Sequence, residues 1–393
     1  MDIHRVFIVV LDGAGVGALP DADAYGDIGS NTLGHIALQT KNWQLPNLLS
    51  LGLGRIVPQL EGESVIRGSF GKMAARSPGK DTTSGHWELA GLLLEKPFPL
   101  YPHGFPPELI NAFTEAIGRP VLGNVVASGT EIIELLGSAH LRSGSPIVYT
   151  SSDSVFQIAA HETVVSREML YDWCRVARHH ILVDEHAVGR VIARPFSGKP
   201  GDFKRTAGRR DFSLLPPGKT LLNLIQEKGD QVWVAGKLKD IFVGHGITRH
   251  LPAAGNNEVV EALQFAISAD FKGLFWGTLV DFDMVYGHRN DVAGFARELE
   301  SFDRALDRIL ADLKEDDLLF ITADHGCDPT FPGTNHTREY VPLLVYSPLI
   351  ETVNLGIRET FADLAATVAE VLECAAPLKG ESFASDLFGR RVP

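Results

Sequence analysis

The sequence predicts an α/β protein, a mostly parallel sheet flanked by helices with a second α/β module inserted into it. Three observations predict this. Short apolar runs with the length of buried strands recur along the chain, and helical patterns follow them, the alternation that builds parallel sheets covered by helices. Several of these runs end in an acid, at the edge where open α/β sheets place their ligands. Two proline-dense stretches, near Pro97–Pro107 and at Pro216-Pro217, bracket a self-contained pattern of strands and helices at 98–215.

The bulk numbers bound the function. A chain of 393 residues can hold two domains and a large core. With 45% hydrophobic and 22% charged residues it is not globally disordered. Its 36 Lys and Arg against 49 Asp and Glu leave a net charge of −13. That excludes broad nucleic-acid or anionic-membrane binding, though not a local site for a phosphorylated ligand. Cys174, Cys327 and Cys374 are too far apart for a disulfide framework or a zinc-finger spacing, which fits a reducing cytoplasm. The first apolar run, Val6 to Leu11, is broken by Asp12 too early for a secretory signal, and no stretch is long enough to cross a bilayer.

Taken in order, Val6 to Leu11 reads as a buried strand closed by Asp12-Gly13-Ala14-Gly15-Val16-Gly17. This glycine spacing is not the dinucleotide fingerprint, and Pro20 argues against a long helix after it. Leu45 to Leu53 reads as a short helix with Pro46 near its start. Next comes Lys80-Asp81-Thr82-Thr83-Ser84-Gly85-His86-Trp87-Glu88. Three hydroxyls before a helical run predict an N-cap, a phosphate cradle of free backbone N–H groups and a nucleophilic hydroxyl. Spacing alone does not choose among Thr82, Thr83 and Ser84.

Within the insert, helices are expected near Glu108–Ile117, Glu131–Leu136 and Arg167–His180, with strands near Pro146–Thr150 and Gly189–Pro195. Ser151-Ser152-Asp153-Ser154 follows the first strand, and Arg190, Arg194, Lys199, Lys204, Arg205, Arg209 and Arg210 make the module locally basic. In so acidic a chain this points to an anionic ligand. Beyond the insert, Leu221–Lys228 and Glu258–Ser268 read as helices and Gln231–Ala235 as a strand ending at Gly236-Lys237. Gly273–Val280 reads as a strand, followed by Asp281-Phe282-Asp283 and His288. Phe295, Leu299, Phe302, Leu306, Ile309 and Leu313 keep helical spacing after a start at Asp291. Leu318–Ile321 is another buried strand, ended by Thr322-Ala323-Asp324-His325-Gly326, with His336 returning across a loop that contains Pro332 and Gly333. Val341–Tyr346 and Thr360–Leu372 close the chain as strand and helix.

Strand ends would therefore present Asp12, Asp283 with His288, and Asp324 with His325, joined by His336. Each acid alone is explained by a turn. Together, three carboxylates and three imidazoles suffice for two divalent ions, and two metals beside a hydroxyl are phosphoryl-transfer machinery.

These segments resemble the bacterial-type phosphopentomutases of the alkaline phosphatase superfamily. The likeness is carried by Gly79-Lys80-Asp81-Thr82, Gly85-His86-Trp87-Glu88, Val148-Tyr149-Thr150-Ser151 with Asp153-Ser154-Val155, and Gly189 to Phe196. It continues through Asp281-Phe282-Asp283, Gly287-His288-Arg289, Thr322 to Gly326 and His336 to Tyr340. It runs nearly end to end, insert included. The resemblance implies an alkaline-phosphatase-like core, residues 1–97 and 216–393, with a cap at 98–215. It implies that Thr82 is phosphorylated, that Asp12, Asp324 and His325 hold one metal with Thr82, and that Asp283, His288 and His336 hold the other. Manganese is the implied metal. Asp153 and Arg190, with Ser151, Arg205 and Lys237, are implied substrate contacts. Where the family pattern often has Asn, this chain has Cys327, read as a non-ligand variation.

The implied reaction moves phosphate between C1 and C5 of ribose or 2-deoxyribose through a 1,5-bisphosphate, linking nucleoside breakdown to pentose phosphates. Glucose 1,6-bisphosphate is the implied primer, and the expected enzyme is a cytoplasmic monomer. The rivals are a metal-dependent phosphatase or phosphodiesterase on the same core, a cofactor-independent phosphoglycerate mutase, and an inactive phosphosugar-binding protein.

Overall fold

The run after His4 forms the strand Arg5–Leu11, buried at every residue, and the core is built outward from it. A computed structural model describes residues 3–60, 62, 64–151, 153–374 and 379–389; Ser152 lies outside them. The chain divides into two units, Met1–Lys96 with Pro216–Pro393, and Pro97–Leu215.

The first unit holds an eight-stranded sheet. Its strand order is Arg249–Leu251, Gln231–Ala235, Gly273–Leu279, Arg5–Leu11, Asp317–Thr322, Val341–Tyr346, Ser69–Met73 and Asn354–Arg358. The first five are mutually parallel, and Val341–Tyr346 runs antiparallel to both neighbours. Strands buried on both faces need continuous apolar sequence, which is why Val6–Leu11 and Leu318–Ile321 are legible. In register, Leu11 lies beside Leu279 and Val10 beside Thr322, so three carboxyl ends finish level. At the opposite ends, buried Arg5 grips Asp317 through two hydrogen bonds of 2.7 and 2.6 Å. That bidentate pair fixes the register from below.

The helix Val292–Asp312 matches the predicted spacing, and the Asp291 carboxylate accepts from Gly294 N at 2.8 Å as its cap. The helix expected over Leu45–Leu53 is instead two, Pro46–Ser50 and Leu53–Ile56. Gly52 separates them with φ 100°, and a side chain there would meet the Phe70 ring at 2.5 Å. Close packing against that ring and the left-handed backbone break the helix.

The second unit is a six-stranded sheet. Leu122–Val126, Ile147–Thr150, Val155–His161, Arg190–Lys199 and Asp202–Arg205 lie in that order, and Arg210–Ser213 also pairs with Arg190–Lys199. One face packs Phe156, Val191 and Ala193 with helices Pro107–Ile117 and Arg167–Val176. The other packs Tyr149 and Phe196 with Gly129–Ser143, a helix longer than the expected Glu131–Leu136. The basic stretch after Pro195 extends its strand to Lys199 and folds back as a hairpin, with Phe196 opposite Arg205.

Candidate metal centre

The three level strand ends deliver the predicted acids to one place. Asp12 directly follows the central strand and is wholly buried, with its N–H on Leu279 O at 3.3 Å. Gly13 turns the chain at φ 78°, and its N–H donates to Asp324 Oδ1 at 3.2 Å. Asp283 enters from a single π-helical turn, Phe282–Tyr286, after the strand Gly273–Leu279. His325 Nε2 lies 3.2 Å from Asp324 Oδ2 and 3.5 Å from Asp12 Oδ1. His288 and His336 approach opposite oxygens of Asp283, with Nε2 at 3.4 and 3.3 Å. The rings of His325 and His336 are 3.9 Å apart between centroids.

Two donor sets emerge whose ligand atoms lie within 4.8 Å of one another, Asp12–Asp324–His325 and Asp283–His325–His336. Asp283, His288 and Cys327 form a third, so the thiol read as a bystander stands among candidate ligands.

The fit to divalent ions shows in what these atoms lack. Asp12 Oδ1, Asp283 Oδ1, Asp324 Oδ2 and His336 Nε2 are buried without a hydrogen bond among the described residues, while Asp12 Oδ2 faces the Lys237 ammonium. Such burial is costly unless a cation compensates it. His325 donates Nδ1–H to Gly326 O at 3.1 Å, and His288 donates Nδ1–H to Thr334 O at 2.6 Å. Each therefore turns its Nε2 lone pair inward, the orientation of metal-bound imidazoles. Carboxylate oxygen with imidazole nitrogen suits a borderline divalent metal.

Without a cation the charges strain against one another. Burial, then Asp324, raises the Asp12 carboxyl well above the ordinary carboxylate range. Burial also raises Asp324, but His325 and His86 outweigh it and hold that group well below. Burial opposes charge on His325, yet Asp324 pushes it up to about 9. One acid is thus driven toward neutrality, and a bound cation would remove that penalty.

Thr82 opens the helix Thr82–Leu89. Its Oγ1 lies 3.2 Å from His325 Nε2 and accepts from Lys237 Nζ at 3.2 Å. Lys237 also pairs with Asp12. The expected hydroxyl cap is corrected here. Asp81 is the N-cap, and its Oδ1 accepts from Thr83 N and Ser84 N at 3.0 Å each. Those amides are therefore not a free phosphate cradle, because an ionised side chain satisfies them better than a hydroxyl. Ser84 Oγ is turned onto Asp81 Oδ2 at 2.8 Å.

Other residues were missed. His86, one turn after Thr82, donates Nδ1–H to Thr82 O at 2.9 Å and sits 3.1 Å from Asp324 Oδ2. Its Nε2 meets Thr278 Oγ1 at 2.9 Å. The spacing of four from Thr82 was the available signal. Buried Arg338 donates to Ala75 O, Ser77 O and Gly79 O, pinning the loop that leads to Thr82. In the second unit, Arg190 lies 3.7 Å from Asp153, and Asp153 N is 3.4 Å from Ser151 Oγ. Arg205 is elsewhere on that sheet, against the start of the helix Gly129–Ser143.

A profile described as the Metalloenzyme superfamily matches residues 231–376. The chain is 57% identical over 388 residues to a phosphopentomutase of Caldanaerobacter subterraneus subsp. tengcongensis, covering 98% of both chains. It is 57% identical over 384 residues to that of Acetivibrio thermocellus, covering 97% of this chain and 99% of the relative. Among solved structures, a Leishmania mexicana phosphoglycerate mutase is similar at TM-score 0.49 and 13% identity, covering 97% of each chain. With full-length relatives at this identity, the chain belongs to the phosphopentomutase family of isomerases.

Proposed function

We propose that the chain interconverts ribose 1-phosphate, or its 2-deoxy form, and the 5-phosphate through phospho-Thr82. The observation that carries the mechanism is Thr82 Oγ1, 3.2 Å from both His325 Nε2 and Lys237 Nζ at the edge of a centre with unpartnered donor atoms. Asp12, Asp324 and His325 with Thr82 would hold one divalent ion, and Asp283, His288 and His336 the other, with manganese as the metal. When bound, the two ions neutralise phosphoryl oxygens and polarise the reacting hydroxyl.

The residues do the rest. In the first half-reaction the Thr82 Oγ1–P bond breaks and a bond forms from phosphorus to the free hydroxyl of the sugar monophosphate. That hydroxyl loses its proton as Oγ1 gains one, so the exchange is proton-neutral. Lys237, already donating to Oγ1, stabilises negative charge on the leaving oxygen. The 1,5-bisphosphate then presents its other phosphate, and the reverse transfer restores phospho-Thr82. Glucose 1,6-bisphosphate primes the resting enzyme by the same exchange. We assign Ser151, Asp153, Arg190 and Arg205 to the sugar phosphate, and the mutase reaction requires the exclusion of water from phospho-Thr82 during transfer. The enzyme works as a cytoplasmic monomer; among the described residues no helix is long and apolar enough to cross a membrane.

Phosphorus NMR tests this with manganese, a trace of glucose 1,6-bisphosphate and α-ribose 1-phosphate. The expected signal is ribose 5-phosphate. Inorganic phosphate in its place would overturn the exclusion of water and revive the phosphatase reading.

A further inference from the structure

We propose that Cys327 is a metal ligand, its thiolate joining Asp283 and His288 so that one half of the centre prefers a softer ion than the other. This rests on the two-metal reading above. Cys327 Sγ, an Asp283 oxygen and a His288 ring nitrogen all lie within 4.8 Å of one another. Cys327 is 1% exposed and Asp283 is 5% exposed, and Asp283 Oδ1 makes no hydrogen bond among the described residues.

The thiol is aimed by the backbone around it. Cys327 N donates to Gly13 O at 2.8 Å and to Thr32 Oγ1 at 3.2 Å. A side chain on Gly287 would come within 2.6 Å of Sγ, and one on Gly13 within 2.8 Å of the Cys327 Cβ. Two glycines thus keep clear the wall on which the sulfur sits. Cys174, by contrast, packs inside the apolar cluster of the second unit.

The chemistry separates the two halves. Asp12, Asp324 and Thr82 with His325 offer three oxygens and one nitrogen, a hard set suited to manganese or magnesium. Asp283, His288 and Cys327 offer one oxygen, one nitrogen and one sulfur, a mixed set that favours zinc or cobalt. On coordination the S–H proton leaves to solvent and a sulfur–metal bond forms; nothing is oxidised. His288 donates Nδ1–H to Thr334 O at 2.6 Å and sets Nε2 3.4 Å from Asp283 Oδ2, and Cys327 Sγ lies 4.0 Å from the same ring, at Nδ1.

The test is a cobalt(II) titration of the metal-free full-length chain, with bound metal counted by equilibrium dialysis. A near-ultraviolet thiolate-to-cobalt charge-transfer band should grow with one of the two bound ions. Cys327→Ser and Cys327→Ala should bind cobalt without the band. After dialysis against equal manganese and zinc, the wild type should favour zinc at one site by at least about tenfold more than Cys327→Ser, the scale on which ligand surroundings tune metal affinity. Two bound cobalt ions with no band, or a band that survives in both variants, would overturn the proposal and leave the two-metal reading intact. A folded protein that binds no cobalt would overturn both.

Discussion

Gly85→Ala is the sharpest probe of how Thr82 is held against the metal ligands. Gly85 lies in the second half of the first turn of its helix, and a Cβ there would stand 2.1 Å from Asp324 O and 3.1 Å from Asp324 Cβ. Ordinary contact begins near 3.4 Å, so the helix and the strand end must part by about 1.3 Å, a scale of misplacement that costs on the order of 10²-fold in rate. The obstacle is backbone, so no side chain can swing away. Thr82 rides on the helix, and Asp324 and His325 on the strand end, so the parting separates the hydroxyl from its partners. We expect kcat to fall about 100-fold. Alanine gains about 1 kcal/mol of helix propensity over glycine, against about 1–3 kcal/mol for overpacking, so the chain should stay folded with a modestly lower Tm. The assay is steady-state mutase activity at saturating manganese and primer, with circular dichroism as the control. A folded Gly85→Ala enzyme with wild-type kcat would refute the claim that this close approach positions Thr82.

Three further outcomes follow from the structure. Thr82→Ala should abolish turnover and phosphate incorporation from labelled glucose 1,6-bisphosphate while leaving the Tm within a degree or two; residual mutase activity would remove Thr82 from its assigned role. Chelation should stop activity and lower the Tm, and saturating manganese at 100 times its Kd should restore about 2.7 kcal/mol, read from melting curves with and without metal. In the second unit, buried His140 donates Nδ1–H to Ser145 O at 2.7 Å and accepts His161 N–H at 2.8 Å on Nε2, and burial lowers its pKa from 6.5. The unfolded chain then binds the extra proton, so this contribution to stability is full above about pH 6.5 and is lost as pH falls below it; urea midpoints at pH 7.5 and 5.5 should show the drop, and His140→Asn should flatten it.

Some of this was legible because burial writes itself into composition. Strands covered on both faces must be apolar throughout, so Val6–Leu11 and Leu318–Ile321 announce themselves, and the acids that end them stand out. The strand Ser69–Met73 does not, because Gly71 and Lys72 dilute it. Gly71 is there because the Gly356 carbonyl passes 2.6 Å from where its Cβ would be, a constraint from nearly three hundred residues away. The hairpin Asp202–Arg205 is charged and part exposed, so it reads as loop. At the site, the metal-facing acids and histidines are visible as residue types at strand ends. His86 and Arg338 are not, because their work is to hold backbone carbonyls and an acid supplied by distant segments. Asp81 was overlooked as the cap because three neighbouring hydroxyls carry the same signal.

The placing of Arg5–Leu11 between Gly273–Leu279 and Asp317–Thr322 has a consequence for synthesis. This strand is made more than 250 residues ahead of either neighbour. At about 5–20 residues per second, the wait for its first partner lasts roughly 15–50 s, with an apolar segment unpaired throughout. The insert can meanwhile form its own local pairings, but Asp12 has no companion acid from the neighbouring strands until Asp283 has been made. A product terminated between Leu89 and Asp283 would carry the nucleophile and its helix without a centre to serve them.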